Sequence, residues 1–256
     1  MQARLMRFKF ALALVPAVAT LLLSAARPAA ADITIVGRYT FANGDTATQY
    51  SYYSRKRVRV TAPDGKEFIH DTQARRVTVI DHVGRRYYTG TIEEAESTAT
   101  RLLMERRNEL RPLIQANQDK WQEMMRLFND SVTVVQSEET RTIAGYPSTR
   151  WLLQCGSYMT HERWVARGLS VPNYGPELEK VVMAAVLDPL GRQLMKLLVE
   201  MRSHPGTVLA SRTRFRTLTQ QGEFSWEALR VLSDPIPKSV WELPKGYQQV
   251  KPGAAK

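Results

Sequence analysis

The stretch that decides the fold is ITIVGRYTFANGDTATQYSYYSRKRVRVTAPDG, residues 33–65. Ile33, Ile35, Tyr39 and Phe41 alternate with polar or small residues, which is the period of a half-buried strand. Asn43-Gly44-Asp45 is a hairpin signal, because Asn and Gly tolerate the positive φ that tight turns require. Tyr50 and Tyr52 continue the period of two, and Val58 and Val60 alternate with Arg57 and Arg59. Pro63-Asp64-Gly65 is a second strong turn. Strands this short, joined by turns this tight, predict an antiparallel meander.

The same pattern extends forward from this stretch. Phe68 to His70, Arg76 to Ile80 and Arg85 to Thr89 read as further strands, with a turn at Val83-Gly84. The period then changes. From Ile92 to Asp130 the chain is rich in good helix formers, with Leu110, Leu113, Ile114, Trp121, Met124, Met125 and Phe128 at helical spacing. Thr91 suits the N-cap, with Glu93 and Glu94 in the first turn. Pro112 is expected to kink or divide this segment. Strands resume with Val132 and Val134. Trp151, Leu153 and Cys155 share a face, and Met159 to Val165 pairs back across Gly156. A second helical stretch is expected from Pro176 to Arg202, with Leu190, Leu194, Leu197, Leu198 and Met201 in one stripe. Val208 to Leu218 and Phe224 to Leu232 are expected as long strands around a turn at Gln221-Gly222. Val208 and Phe215 differ in parity, so burying both requires a bulge or a strand covered on both sides. The resulting fold class is α+β: a strongly curved antiparallel sheet, an incomplete barrel, with two helical insertions packed on one side. Residues 32–250 form one domain, and 251–256 read as a disordered tail.

Backward from residue 33 the chain reads as an address. Arg4, Arg7 and Lys9 precede an apolar run from Phe10 to Ala25, and Ala29-Ala30-Ala31 gives small residues at a cleavage site. This is a secretory signal peptide over residues 1–31, cut near Ala31. The apolar run is short for a membrane span, so no transmembrane segment is expected after cleavage, and the protein is placed in the periplasm. Removing Arg4, Arg7, Lys9 and Arg27 lowers the net charge from +11 to +7. Export makes nucleic acid an unsuitable partner for that charge, whereas an anionic lipid surface suits it. One cysteine, Cys155, excludes an internal disulfide, and its strand position reads as a small core hydrophobe.

Chemistry-bearing motifs are sparse. His70, His82, His161 and His204 show no metal-ligand spacing, although a hairpin could bring His70-Asp71 and Asp81-His82 together. There is no nucleophile elbow and no phosphate-binding loop. The reading is a protein that is not an enzyme and uses no cofactor or metal. Of the seven methionines after residue 31, all but Met159 fall in the two helical segments. Methionine is over-used at adaptable apolar surfaces, so these helices suit a lid over an apolar cavity; composition alone fits ordinary core packing between helix and sheet better. The candidate lid residues are Met124, Met125, Phe128, Leu194, Leu198 and Met201, with Arg57 and Arg59 as candidates to hold an anionic head group.

Several separated segments, YSYYSRKRVRV (50–60), VIDHVGRRYY (79–88), TIAGYPSTRW (142–151), Trp164-Val165-Ala166 and WELPKGY (241–247), are familiar together. Their order and spacing resemble an uncharacterised family of exported bacterial proteins, a domain-of-unknown-function family. That family is similar in architecture to the outer-membrane lipoprotein carrier proteins of the periplasm. The resemblance implies an incomplete barrel closed by helices around a hydrophobic cavity, and it brings no catalytic residues. The function expected is a periplasmic carrier for an apolar ligand, a lipid or an acylated protein. The alternative is an envelope interaction or sensor module without a ligand cavity, since a regulator that binds an anti-sigma factor has a similar half-barrel.

Overall fold

The computed structural model describes residues 32–63, 65–119, 121–122, 132–156, 159–172, 206–216 and 221–251. Its strands are β1 (Ile33–Phe41), β2 (Thr46–Tyr53), β3 (Arg57–Thr61), β4 (Lys66–Asp71), β5 (Arg76–Asp81), β6 (Arg86–Thr91), β7 (Val132–Ile143), β8 (Tyr146–Cys155), β9 (Met159–Ala166), β10 (Thr207–Arg216), β11 (Gln221–Leu232) and β12 (Gln248–Gln249). All twelve form one curved, unclosed sheet in the order β12-β6-β5-β4-β3-β2-β1-β11-β10-β9-β8-β7. Pairing is antiparallel except for β12 on β6, which is parallel. The sheet is therefore two meanders joined at β1 and β11, the first and last long strands. The chain leaves at the β6 edge, re-enters at the β7 edge and works back to the middle.

The turns follow from local chemistry. Gly44 takes φ +84° between β1 and β2, and its N–H donates to the Phe41 carbonyl at 2.9 Å. Ala144 and Gly145, both at positive φ, make the two-residue turn of the β7–β8 hairpin, where Ile143 pairs with Tyr146. The β4–β5 and β5–β6 turns share one device. Asp71 and Asp81 accept the N–H groups of Ala74 and Gly84 at 2.8 and 2.9 Å, while Arg75 and Arg85 take the left-handed conformation. The turn expected at Val83-Gly84 thus has its positive φ at Arg85.

The long α-helix of the described residues is α1 (Ile92–Ala116), with residues 118–119 and 121–122 helical again past Asn117. It opens on a capping box: Glu94 N–H donates to Thr91 Oγ1 at 3.1 Å, and Thr91 N–H donates to Glu94 Oε2 at 2.8 Å. Ile92 and Ala95 bury this first turn against the sheet. The helix runs through Pro112 and ends one turn later, so the expected division at that residue does not occur there. The second expected insertion, 176–202, lies outside the described residues, as do residues 1–31 and 252–256. Among the described residues no helix is long and apolar enough to cross a membrane.

The inner face carries the core. Ile33, Ile35, Tyr39, Tyr53, Val58, Val60, Leu153 and Trp226 are all buried. Trp151, Leu153 and Val208 are buried as expected, and Phe215 is half-buried. The parity conflict between the last two is resolved by a bulge between Val208 and Ala210, which lets β10 shift register against β9. Gln221 and Gly222, expected as a turn, are instead the first residues of β11, paired with Arg216 and Phe215.

Candidate functional site

Parity along β9 decides the site. His161, Arg163 and Val165 point inward and are buried, whereas Glu162 and Trp164 face the other side. Register places Arg163 in a row that crosses five strands: Trp151 on β8, Arg163 on β9, Ser211 on β10, Trp226 on β11 and Tyr39 on β1. One step along the strands lies a second row, Leu153, His161, Thr213, Phe224 and Phe41. Gly37, Gln49 and Ser51 continue the inner face on β1 and β2.

Arg163 is fully buried. Its three guanidinium nitrogens have no hydrogen-bond acceptor among the described residues. The guanidinium lies 5.9 Å from the Trp151 ring centroid, at the outer limit of a cation–π contact. Burial alone pulls its pKa down to about 10. Burying the charge without a partner therefore costs stability. Other buried polar atoms on this face also lack partners among the described residues: Trp226 Nε1, His161 Nε2 and Gln49 Oε1. His161 Nδ1 sits 2.9 Å from Thr213 Oγ1. Burial, and secondarily the Arg163 charge, lowers its pKa to about 3, so the imidazole is neutral near pH 7. The Trp226 indole lies so close to Gly37 that a Cβ there would come within 2.4 Å of Nε1.

These rows lead outward along the strands to Met159 and Phe215, which are half-buried and pair across β9 and β10. Here a groove of about 460 Å³ opens, lined by both residues together with Ala42, Gly222, Arg214 and Arg216. Arg163 is four residues further in than Met159, or ~13 Å along a strand.

The head-group candidates stand elsewhere. Arg57 pairs with Asp71 at 2.7 Å at the end of β3. Arg59 is half-buried and donates through Nε to Glu67 Oε2 at 2.7 Å. It also binds the Val240 and Glu242 carbonyls, the latter at 3.1 Å. Glu67 in turn lies 3.1 Å from His82 Nε2, and His82 Nδ1 meets the Tyr247 hydroxyl at 2.8 Å. Three of the familiar segments (50–60, 79–88 and 241–247) thus converge on one polar clamp that holds the C-terminal segment. His70 is buried on the inner face of β4 and His82 follows β5 toward that clamp, so the two His-Asp pairs do not form one cluster. Tyr50 and Tyr52 stack on each other at 6.2 Å on the outer face, opposite the buried Gln49 and Ser51. Met104 is exposed, while Met124, Met125, Phe128, Leu194, Leu198 and Met201 lie outside the described residues. The inward Arg163 was missed in the sequence reading. The signal for it was the run HERWVA, where His and Arg alternate with outward residues inside a strand that must be buried.

No family model matches the chain, and no curated protein matches its sequence. Solved structures do. A conserved protein of Thermus thermophilus is 7% identical over 92% of this chain and 95% of its own, with a TM-score of 0.42. A chain of the Pseudomonas aeruginosa MucA/MucB complex is 9% identical over 94% of this chain and 62% of its own, with a TM-score of 0.42. A LolA-superfamily protein of Nitrosomonas europaea is 8% identical over 90% and 97%, with a TM-score of 0.25.

Proposed function

We propose that this chain is a non-enzymatic periplasmic binding or carrier protein for an apolar ligand, a lipid or an acylated protein. The observation that carries this reading is the inner face of the unclosed sheet. It is apolar over most of its width, yet it holds buried polar atoms that find no partner among the described residues. A core used only for stability gains nothing from orphaned donors, since each costs roughly 1–3 kcal/mol. A core that alternates between closed and ligand-filled states has a use for them. Met124, Met125, Phe128, Leu194, Leu198 and Met201 are proposed to line the ligand from a helical lid. Export through residues 1–31 would bring the carrier to where lipids and acylated proteins cross the envelope.

Native mass spectrometry of protein purified from the periplasm tests this. A bound adduct of lipid mass, lost on gentle activation, is expected. Protein that carries no adduct and takes up no fatty-acid probe at micromolar concentration would favour the second reading, an envelope protein-interaction module. A specific feature supports that alternative: an outer-face cavity of about 290 Å³ lined by Arg38, Arg141, Arg212 and Trp164 together with Glu162 and Glu227. Arg141 stacks 4.4 Å over the Trp164 ring there and pairs with Glu227 at 3.1 Å, so this surface offers a peptide an aromatic ring and both signs of charge.

A further inference from the structure

We infer that Arg163 is the anchor for the carboxylate of a long-chain acid, which enters through the Met159–Phe215 groove with its head group foremost. The inference rests on the binding reading above and names the chemistry of what is bound.

Three observations carry it. First, the guanidinium is fully buried and has no acceptor among the described residues. A buried cation of this kind is stabilised only by an anion or a set of acceptors. Second, its row across the sheet brings it no carboxylate: the other members are Trp151, Ser211, Trp226 and Tyr39. Glu162, the nearest carboxylate in sequence, is committed to Arg150 at 2.8 Å on the opposite face. A guanidinium can only donate, so it calls for an oxyanion, and one buried positive charge matches one negative charge. A carboxylate meets both conditions, and its two oxygens fit the guanidinium fork. Third, the inner strand faces between the groove and Arg163 carry Met159, Phe215 and Phe224, side chains that suit an alkyl chain. His161, the titratable group between them, is held neutral by burial and so adds no second charge.

The test compares a naturally fluorescent polyunsaturated fatty acid with its methyl ester at pH 7.5, using the full mature protein after delipidation. The ester keeps the chain and removes the charge. The acid is expected to bind wild type at least about tenfold more tightly than the ester, the value of a charge-assisted hydrogen bond. In Arg163→Met the acid should fall to the affinity of the ester, while ester binding stays within about twofold of wild type. Arg163→Lys, which keeps the charge and loses the fork, should retain part of the preference, and it serves if the Met variant does not fold. Equal binding of acid and ester to wild type would overturn the anchor and leave the apolar cavity standing. So would a full acid preference retained in the folded Met variant. Failure of both probes to bind wild type would instead remove the cavity reading itself, and the anchor with it.

Discussion

At the scale of single residues, the informative positions are polar side chains on a face that should be apolar. His161 gives a direct handle. Its folded-state pKa is about 3, below the ordinary value of 6.5, so the unfolded chain takes up a proton first. Stability is therefore full above about pH 6.5 and falls as pH drops toward 3. Between pH 7 and pH 5 the loss is expected to be ~2 kcal/mol, measured by urea denaturation at each pH. His161→Gln should flatten that part of the profile. A wild-type profile that is already flat would place the imidazole in contact with water. Arg163 contributes nothing to this window, because its charge is unchanged below about pH 10.

At the scale of elements, the start of α1 is the most sharply specified feature. Thr91 and Glu94 exchange hydrogen bonds at 3.1 and 2.8 Å, and Ile92 and Ala95 seat the first turn. Thr91→Ala should cost about 1 kcal/mol, read as a shift in the denaturation midpoint, and Glu94→Ala a similar or smaller amount. A cost near zero for both would mean that tertiary packing alone sets the helix start. The cap was legible because Thr-x-x-Glu ahead of a helical pattern is a local code. The effect of Pro112 was not. Whether a proline divides a helix depends on what its neighbours pack against, and α1 continues for one more turn beyond it.

At the scale of the molecule, a polar clamp ties the C-terminal segment to the first meander. Arg59 holds the Val240 and Glu242 carbonyls, Tyr247 reaches His82, and β12 pairs with β6 at the sheet edge. The Gln248 and Val250 N–H groups donate to the Arg85 and Tyr87 carbonyls at 3.0 and 2.9 Å. Arg59→Met should release this strap while leaving the central strands intact. Amide exchange at Gln248 and Val250 should then speed up by about tenfold or more, with exchange in β1 and β10 unchanged. Unchanged exchange at both sites would show that β12 pairing holds the segment without the clamp. Covering the β6 edge in this way also protects it from pairing with another chain.

Local physics was sufficient for much of this protein. Strand periodicity, the Asn43-Gly44 turn, the α1 cap and the open antiparallel architecture all follow from interactions within a few residues, and each is readable in the chain. Even the bulge in β10 was one of the two solutions that the parity of Val208 and Phe215 left open. Tertiary structure alone decided the rest. Which face of β2 and β9 is inside is set by register across the whole sheet, so Tyr50 and Tyr52 turn outward and Gln49, Ser51, His161 and Arg163 turn inward. Arg59, which reads as exposed charge beside Val58 and Val60, meets its partners only because residues 240–242 return to it from the far end of the chain. The energy of a buried charge depends on what stands around it in three dimensions, and strand periodicity carries no information about that.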